Sequence, residues 1–121
     1  VSDVRRGGES RGNTEARIDF LVESAPEWSL ELGLPALSQA AADHALKILS
    51  FISQARRDAE LRIFPSEQAG LTIQKRGATE TRILEVNPGE ITGAIHDKKL
   101  HVHHHYLLES DRAAAAFLMA A

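Results

Sequence analysis

The chain has 121 residues, a net charge of −3, 43% hydrophobic and 26% charged residues, a size and balance that suit one globular domain with one core. It contains no cysteine, which excludes disulfides, zinc–thiolate sites and thiol nucleophiles. Its basic residues are scattered, as in Arg56-Arg57, Lys75-Arg76 and Lys98-Lys99, whereas nucleic-acid binders concentrate positive charge on one face; no run approaches the roughly 18–20 apolar residues of a membrane span and no apolar leader opens the chain, so a cytoplasmic location is expected.

Residues 1–13, rich in Gly, Ser and Arg, offer little to bury and read as a flexible tail preceding a single domain over 14–121. Asn13 or Thr14 can cap a first helix over about 14–24, with Glu15 in its first turn and Ile18, Leu21 and Val22 on one stripe. Pro26 is expected to end it, leaving Glu27 to Leu34 as a connector that contains Trp28 and Gly33. A lone loop tryptophan either anchors a partner in a pocket or packs across the helix–sheet junction. Pro35 suits the first turn of a second helix, expected from about Ala36 to Ala59. Leu37, Ala41, Ala45, Ile48, Ile52 and Ala55 give it a continuous apolar stripe, with Gln39, Asp43, Lys47, Gln54, Arg57 and Asp58 facing away.

The rest reads as strands. Leu61 and Ile63 alternate with polar neighbours, as do Leu71 and Ile73, Leu84 and Val86, Ile91 and Ile95, and Leu100 and Val102. Turn chemistry separates them at Pro65 to Gly70, at Gly77-Ala78 and at Asn87-Pro88-Gly89. In the last, proline presets φ for the first central position of a type II turn, and glycine can supply the positive φ at the second. Short connections join antiparallel neighbours, so four or five strands should form a meander. Ser110 and Asp111 can cap a final helix that Phe117 and Leu118 dock.

The order Glu27-Trp28 loop, proline, helix, then Ile63-Phe64-Pro65-Ser66-Glu67-Gln68-Ala69-Gly70-Leu71-Thr72-Ile73 resembles a group of small uncharacterised bacterial α+β proteins. In that group a Gly-Trp loop and a helix lead into a strand of the pattern I-x-P-[ST]-x-x-G-G-[IV]-x-[IL]-x-W. The resemblance covers Ile18 to Ile95 and implies a fold, with no activity, cofactor or site residue to carry across. This chain departs from the pattern at Glu27, at Ala69 in place of the first glycine, and at Lys75 near the second tryptophan.

Histidine is the unusual feature, with His96, His101, His103, His104 and His105 close together. On a strand, His101, His103 and His105 share one face, because side chains alternate. A two-residue loop at Lys98-Lys99 would set His96 opposite His101, giving His96, His101 and His103 as a three-nitrogen metal cluster. His101 and His105 stand about 13 Å apart along an extended strand, too far to share an ion. The alternation of Ile91 and Ile95, and of Leu100 and Val102, turns these histidines away from the core, so solvent or a partner protein is the plainer reading. His44 lies beside the apolar stripe of the long helix. Glu60, Glu67, Glu80, Glu85 and Glu90 fall near strand ends and turns. No nucleophile elbow, phosphate-binding glycine loop or H-E-x-x-H pattern occurs.

The sequence therefore predicts an α+β fold, with two N-terminal helices packed on one face of a four- to five-stranded antiparallel meander and a short C-terminal helix. It predicts recognition rather than catalysis, with no cofactor: a small protein-binding module, antitoxin- or immunity-like, or a dimeric accessory protein. The binding residues would be His96, His101, His103 and His105. The alternative is a metal-binding protein or metal-dependent enzyme that uses His96, His101 and His103.

Overall fold

The computed structural model describes residues 13–99 and 102–120. Within them the fold is α+β, with four helices, α1 (Asn13–Glu23), α2 (Ala25–Leu32), α3 (Gln39–Ser50) and α4 (Gln54–Glu60). Five strands follow, β1 (Leu61–Pro65), β2 (Leu71–Arg76), β3 (Glu80–Val86), β4 (Ile91–Asp97) and β5 (Val102–Leu108), and then α5 (Asp111–Met119). The strands form one antiparallel sheet in the order β1-β2-β3-β4-β5. The expected tail lies outside the described residues except for Asn13, which already belongs to α1.

Four helices stand before the sheet where two were expected, the first in its expected place and the long second one divided. Pro26 does not stop the first helix; it opens the second, in a first-turn position where its missing N–H costs no bond. The chain bends at Ser24, whose N–H still donates to Phe20 O at 2.9 Å and whose carbonyl receives Trp28 N–H at 3.2 Å. The indole of Trp28 donates Nε1–H to Leu21 O at 2.8 Å, so the tryptophan ties α2 to α1 from its partly buried place against the core. Gly33 ends α2 in the left-handed conformation, φ 69°, which costs a residue without Cβ nothing.

The stripe expected to run unbroken from 36 to 59 is interrupted. Ser38, not Pro35, caps α3, accepting Ala40 N–H at 3.1 Å. A straight helix of 24 residues would be about 36 Å long, against about 23 Å for a seven-residue strand. The chain must turn to feed β1 beside β2, and it does so at Phe51 to Ser53. There Phe51 and Ile52 make tightened bonds to Ile48 and Leu49 carbonyls at 3.1 and 3.0 Å. After the turn Ala55 is exposed, while Arg57, expected to face away, is buried. Its Nη1 donates to Leu49 O at 2.8 Å and its Nη2 to Glu15 Oε1 at 3.1 Å. On the exposed side of α4, the hydrogen bond from Arg56 holds the Glu60 carboxyl below its ordinary pKa. A carboxyl lowered in this way contributes stability above its unfolded pKa and loses it as pH falls through the folded one; fully solvated, the pair contributes little.

Leu61, Ile63, Leu71, Ile73, Leu84, Val86 and Ile91 form the buried face of the sheet, covered by Ile18, Leu21, Ala41, Ala45, Ile48, Leu49, Ala114 and Leu118 from the helices. Gly93 belongs to the same face and lets α5 approach. A Cβ there would sit 2.6 Å from the Phe117 ring, which is flanked by Tyr106 at 5.5 Å and lies under the Arg82 guanidinium at 5.2 Å. Ser110 caps α5 as expected, accepting Ala113 N–H at 3.0 Å. His44 Nδ1 meets Asp111 Oδ1 at 2.9 Å on the exposed surface, tying α3 to the start of α5.

The Asn87-Pro88-Gly89 turn joins β3 to β4 as antiparallel neighbours, as expected. It is not a type II turn, because Gly33 is the only described glycine with positive φ. The residue that does take a left-handed conformation is Ala69, φ 60°, at the position where the resembling pattern has its first glycine. Its carbonyl receives Ser38 N–H at 2.8 Å, and the adjoining loop is held by Ser66, whose Oγ accepts from the N–H groups of Gln68 and Gly70. A left-handed residue with a Cβ costs roughly 1–2 kcal/mol, partly offset by the freedom a glycine loses on folding. Ala69→Gly should therefore stabilise the protein by about 0.5–1 kcal/mol, seen as a raised midpoint in urea unfolding; an unchanged or lowered midpoint would show that no strain resides there.

Candidate interaction surface

The sheet face turned away from the helices carries His96 and His105, two of the expected histidines. Three cross-strand rows follow from the register: Phe64, Thr72, Glu85, Thr92 and Leu107; Arg62, Gln74, Ile83, Ala94 and His105; and Arg76, Thr81, His96 and His103. His96 and His105 thus stand on neighbouring strands of one face, with His103 at the backbone position opposite His96. His101 and the His103 side chain lie outside the described residues. His104 belongs to the other face, opposite Ile95, and is exposed.

The two-residue loop at Lys98-Lys99, on which the metal set was conditional, does not form. Asp97 pairs with Val102, so four residues, 98–101, connect β4 to β5. His96 therefore faces His103 instead of His101. The shift is by two positions, which preserves the face of every side chain while changing its partner. Two contacts help to hold this longer loop: Lys98 N–H donates to Thr79 O at 3.0 Å and its ammonium to Gly77 O at 2.7 Å. Asp97 Oδ1 accepts Lys99 N–H at 3.0 Å, a local turn that competes with a tight hairpin. The three-nitrogen set His96, His101 and His103 depended on the shorter loop. Among the described residues no three His, Cys, Asp or Glu side chains group to hold a metal.

The surface is more apolar than its histidines suggest. Phe64 is 42% exposed and Leu107 68% exposed, and Ile83 and Ala94 lie half-buried between them and the histidines. The signal was present in the sequence: Ile63-Phe64, Ile83-Leu84 and Leu107-Leu108 are adjacent apolar pairs, and a strand must send one member of each pair to each face.

One end of this face is acidic. A groove of about 430 Å³ runs beside Leu34, Glu67, Thr72, Glu85, Glu90 and Thr92. Thr72 donates its hydroxyl to the Glu85 carboxylate across the β2–β3 pair. The floor of the groove is fixed by Asn87, buried, whose Nδ2 donates to Gln68 Oε1 at 3.3 Å and whose N–H donates to Glu90 O at 3.0 Å. The surface thus combines apolar side chains, neutral hydrogen-bonding groups and a carboxylate-rich rim on a rigid sheet. That chemistry can grip another polypeptide through burial and directed polar contacts.

Outside this face, carboxylates are engaged in local contacts: Glu80 pairs with Arg82 at 2.7 Å and Glu60 with Arg56 at 2.9 Å. No family model matches the chain, and no curated protein or solved structure matches it.

Proposed function

We propose that this protein is a recognition module that binds another protein through the open face of its sheet, in the manner of a neutralising antitoxin, an immunity protein or an accessory subunit. The observation that carries this reading is the exposure of Phe64 and Leu107 on the same face as His96 and His105, with Ile83 and Ala94 between them. Phe64 and Leu107 stand at the two edges of this face with Thr72, Glu85 and Thr92 between them, so the reading rests on a mixed face with apolar side chains at its edges and not on one contiguous apolar patch. The acidic rim at Glu67, Glu85 and Glu90 suits a partner that brings a lysine or arginine to that end. The metal-binding alternative rests on His101 and the His103 side chain.

Affinity capture from the source cells with wild-type chain and with Phe64→Ser/His96→Ala tests the reading. The variant should keep the wild-type melting temperature and bind the captured protein roughly tenfold or more weakly. Equal affinity in wild type and variant would remove this face from recognition.

A further inference from the structure

The two edges of the sheet are finished differently. At β1, Arg17 reaches from α1 and donates Nε–H to Ile63 O at 3.3 Å. The strand also carries Arg62 and ends at Pro65, which has no N–H to offer. Coverage, charge and proline are the devices by which proteins stop further strands adding to an edge. The opposite edge is β5, and its sequence Val-His-His-His-Tyr-Leu-Leu contains no Lys, Arg, Asp, Glu, Pro or Gly.

The phase of the ladder says which β5 groups face outward. Asn87 N–H bonds to Glu90 O and Lys98 N–H bonds to Thr79 O. By the alternation of antiparallel pairing, Thr92, Ala94 and His96 then bond to β3, and Ile91, Gly93, Ile95 and Asp97 bond to β5. The backbone groups of His103, His105 and Leu107 therefore aim away from the sheet. Among the described residues no hydrogen bond reaches the backbone of Leu107 from any helix or loop, and its side chain is 68% exposed.

We propose that β5 pairs antiparallel with β5 of a second copy of this chain, about a two-fold axis at His105, so that two sheets join edge to edge. The proposal rests on reading the last hairpin as an interaction surface, and it names the occupant of its edge. The strand's own charge pattern selects the occupant. The strand brings no Lys, Arg, Asp or Glu side chain that would repel its copy across the axis.

The register centred on His105 is the only two-fold register that overlaps the whole strand, and it sets outward-bonding residues against outward-bonding residues. His103 meets Leu107 of the second copy, and His105 meets itself. On the helix-covered face His104 meets Tyr106, and position 102 falls opposite Leu108. A partner of unrelated sequence has no such built-in complement.

The absence of cysteine makes the test direct. In the proposed register the two His105 backbones form a bonded pair about 5.5 Å apart at Cα, inside the span a disulfide can bridge. The two Leu107 positions are about 13 Å apart, beyond it. His105→Cys should crosslink to a dimer on mild oxidation and Leu107→Cys should not, while a mixture of His103→Cys and Leu107→Cys should yield the mixed dimer. Light scattering of the untreated wild type should give twice the chain mass of 13.2 kDa.

Leu107→Pro, which removes only an outward N–H, should give a monomer with the wild-type melting temperature; Leu107→Lys serves in its place if the proline variant does not fold. A monomeric wild type, equal crosslinking at 105 and 107, or a dimeric Leu107→Pro and Leu107→Lys would each overturn the proposal. Retained partner capture by a monomeric wild type would overturn the self-association alone. Loss of both would overturn the recognition reading as well.

Discussion

Gly70→Ala should lower the stability of the protein by at least about 3 kcal/mol, among the largest effects of any single methyl group in this chain. A Cβ on Gly70 would stand 2.2 Å from Val86 O, 2.6 Å from Asn87 Oδ1 and 3.0 Å from Asn87 Cα. Two of those three atoms are backbone, so no side-chain rotation relieves the overlap, and the β1–β2 loop must move off the end of β3. That movement also disturbs Ser66, whose Oγ receives Gly70 N–H at 3.2 Å and whose N–H donates to Gly70 O at 3.0 Å. Overpacking that only displaces side chains costs about 1–3 kcal/mol, and displacement of backbone belongs at or beyond the top of that range. For a domain of this length the loss corresponds to a fall in melting temperature of roughly 10 °C or more. A melting temperature within a few degrees of wild type would mean that the loop does not pack against β3 this closely. Gly93→Ala is the informative comparison: its nearest neighbours are atoms of the Phe117 ring, a side chain that can shift, so the cost should be smaller.

Arg57→Met should cost about 2–4 kcal/mol, because it removes one member of a buried polar set while leaving the others in place. Arg57 is 7% exposed. Its guanidinium adds a second donor to the Leu49 carbonyl, which already receives Ile52 N–H, and it pairs with Glu15 from α1. Methionine fills much of the same volume but donates nothing, so a carboxylate whose side chain is 20% exposed loses its partner, while the Leu49 carbonyl keeps only its bond from Ile52. The Nε of Arg57 has no partner among the described residues, which reduces the net worth of the intact arrangement without changing the sign. Replacing Glu15 as well, in Glu15→Leu/Arg57→Met, should cost less than the two single changes added together. Urea unfolding of the four proteins in this cycle gives the coupling; strict additivity would show that the pair contributes nothing beyond its separate contacts.

Both positions show where sequence reading succeeds and where it stops. The pattern at Ile63-Phe64-Pro65-Ser66 to Ile73 marked a strand, a turn and a second strand, and β1 and β2 occupy those places. It did not show that Gly70 touches β3, since that contact joins residues distant in the chain. Arg57 was placed on the outward side of a long helix because the stripe of Ile48, Ile52 and Ala55 continued past Phe51 with helical spacing. The helix ended there because β1 had to start, and the side of α4 that faces the core then changed.

What the sequence determined by itself is what neighbouring residues decide among themselves. Alternation set the five strands and assigned the buried face to Leu61, Ile63, Leu71, Ile73, Leu84, Val86 and Ile91, because side chains on a strand have no other choice of side. Asn87-Pro88-Gly89 set the β3–β4 neighbourhood, Ser110 set the start of α5, and Ile18 and Leu21 set the inward side of α1. The tertiary structure decided what depends on length and closure. It placed Pro26 at the start of a helix, ended α3 at Ser50, forced Ala69 instead of Gly89 into a left-handed or unusual role at a turn, and gave the β4–β5 hairpin a four-residue loop. His96 and His105 kept their predicted face through that last change because a shift of two residues leaves strand parity intact, whereas the partner across the strand pair changed because register is set by loop closure and not by alternation.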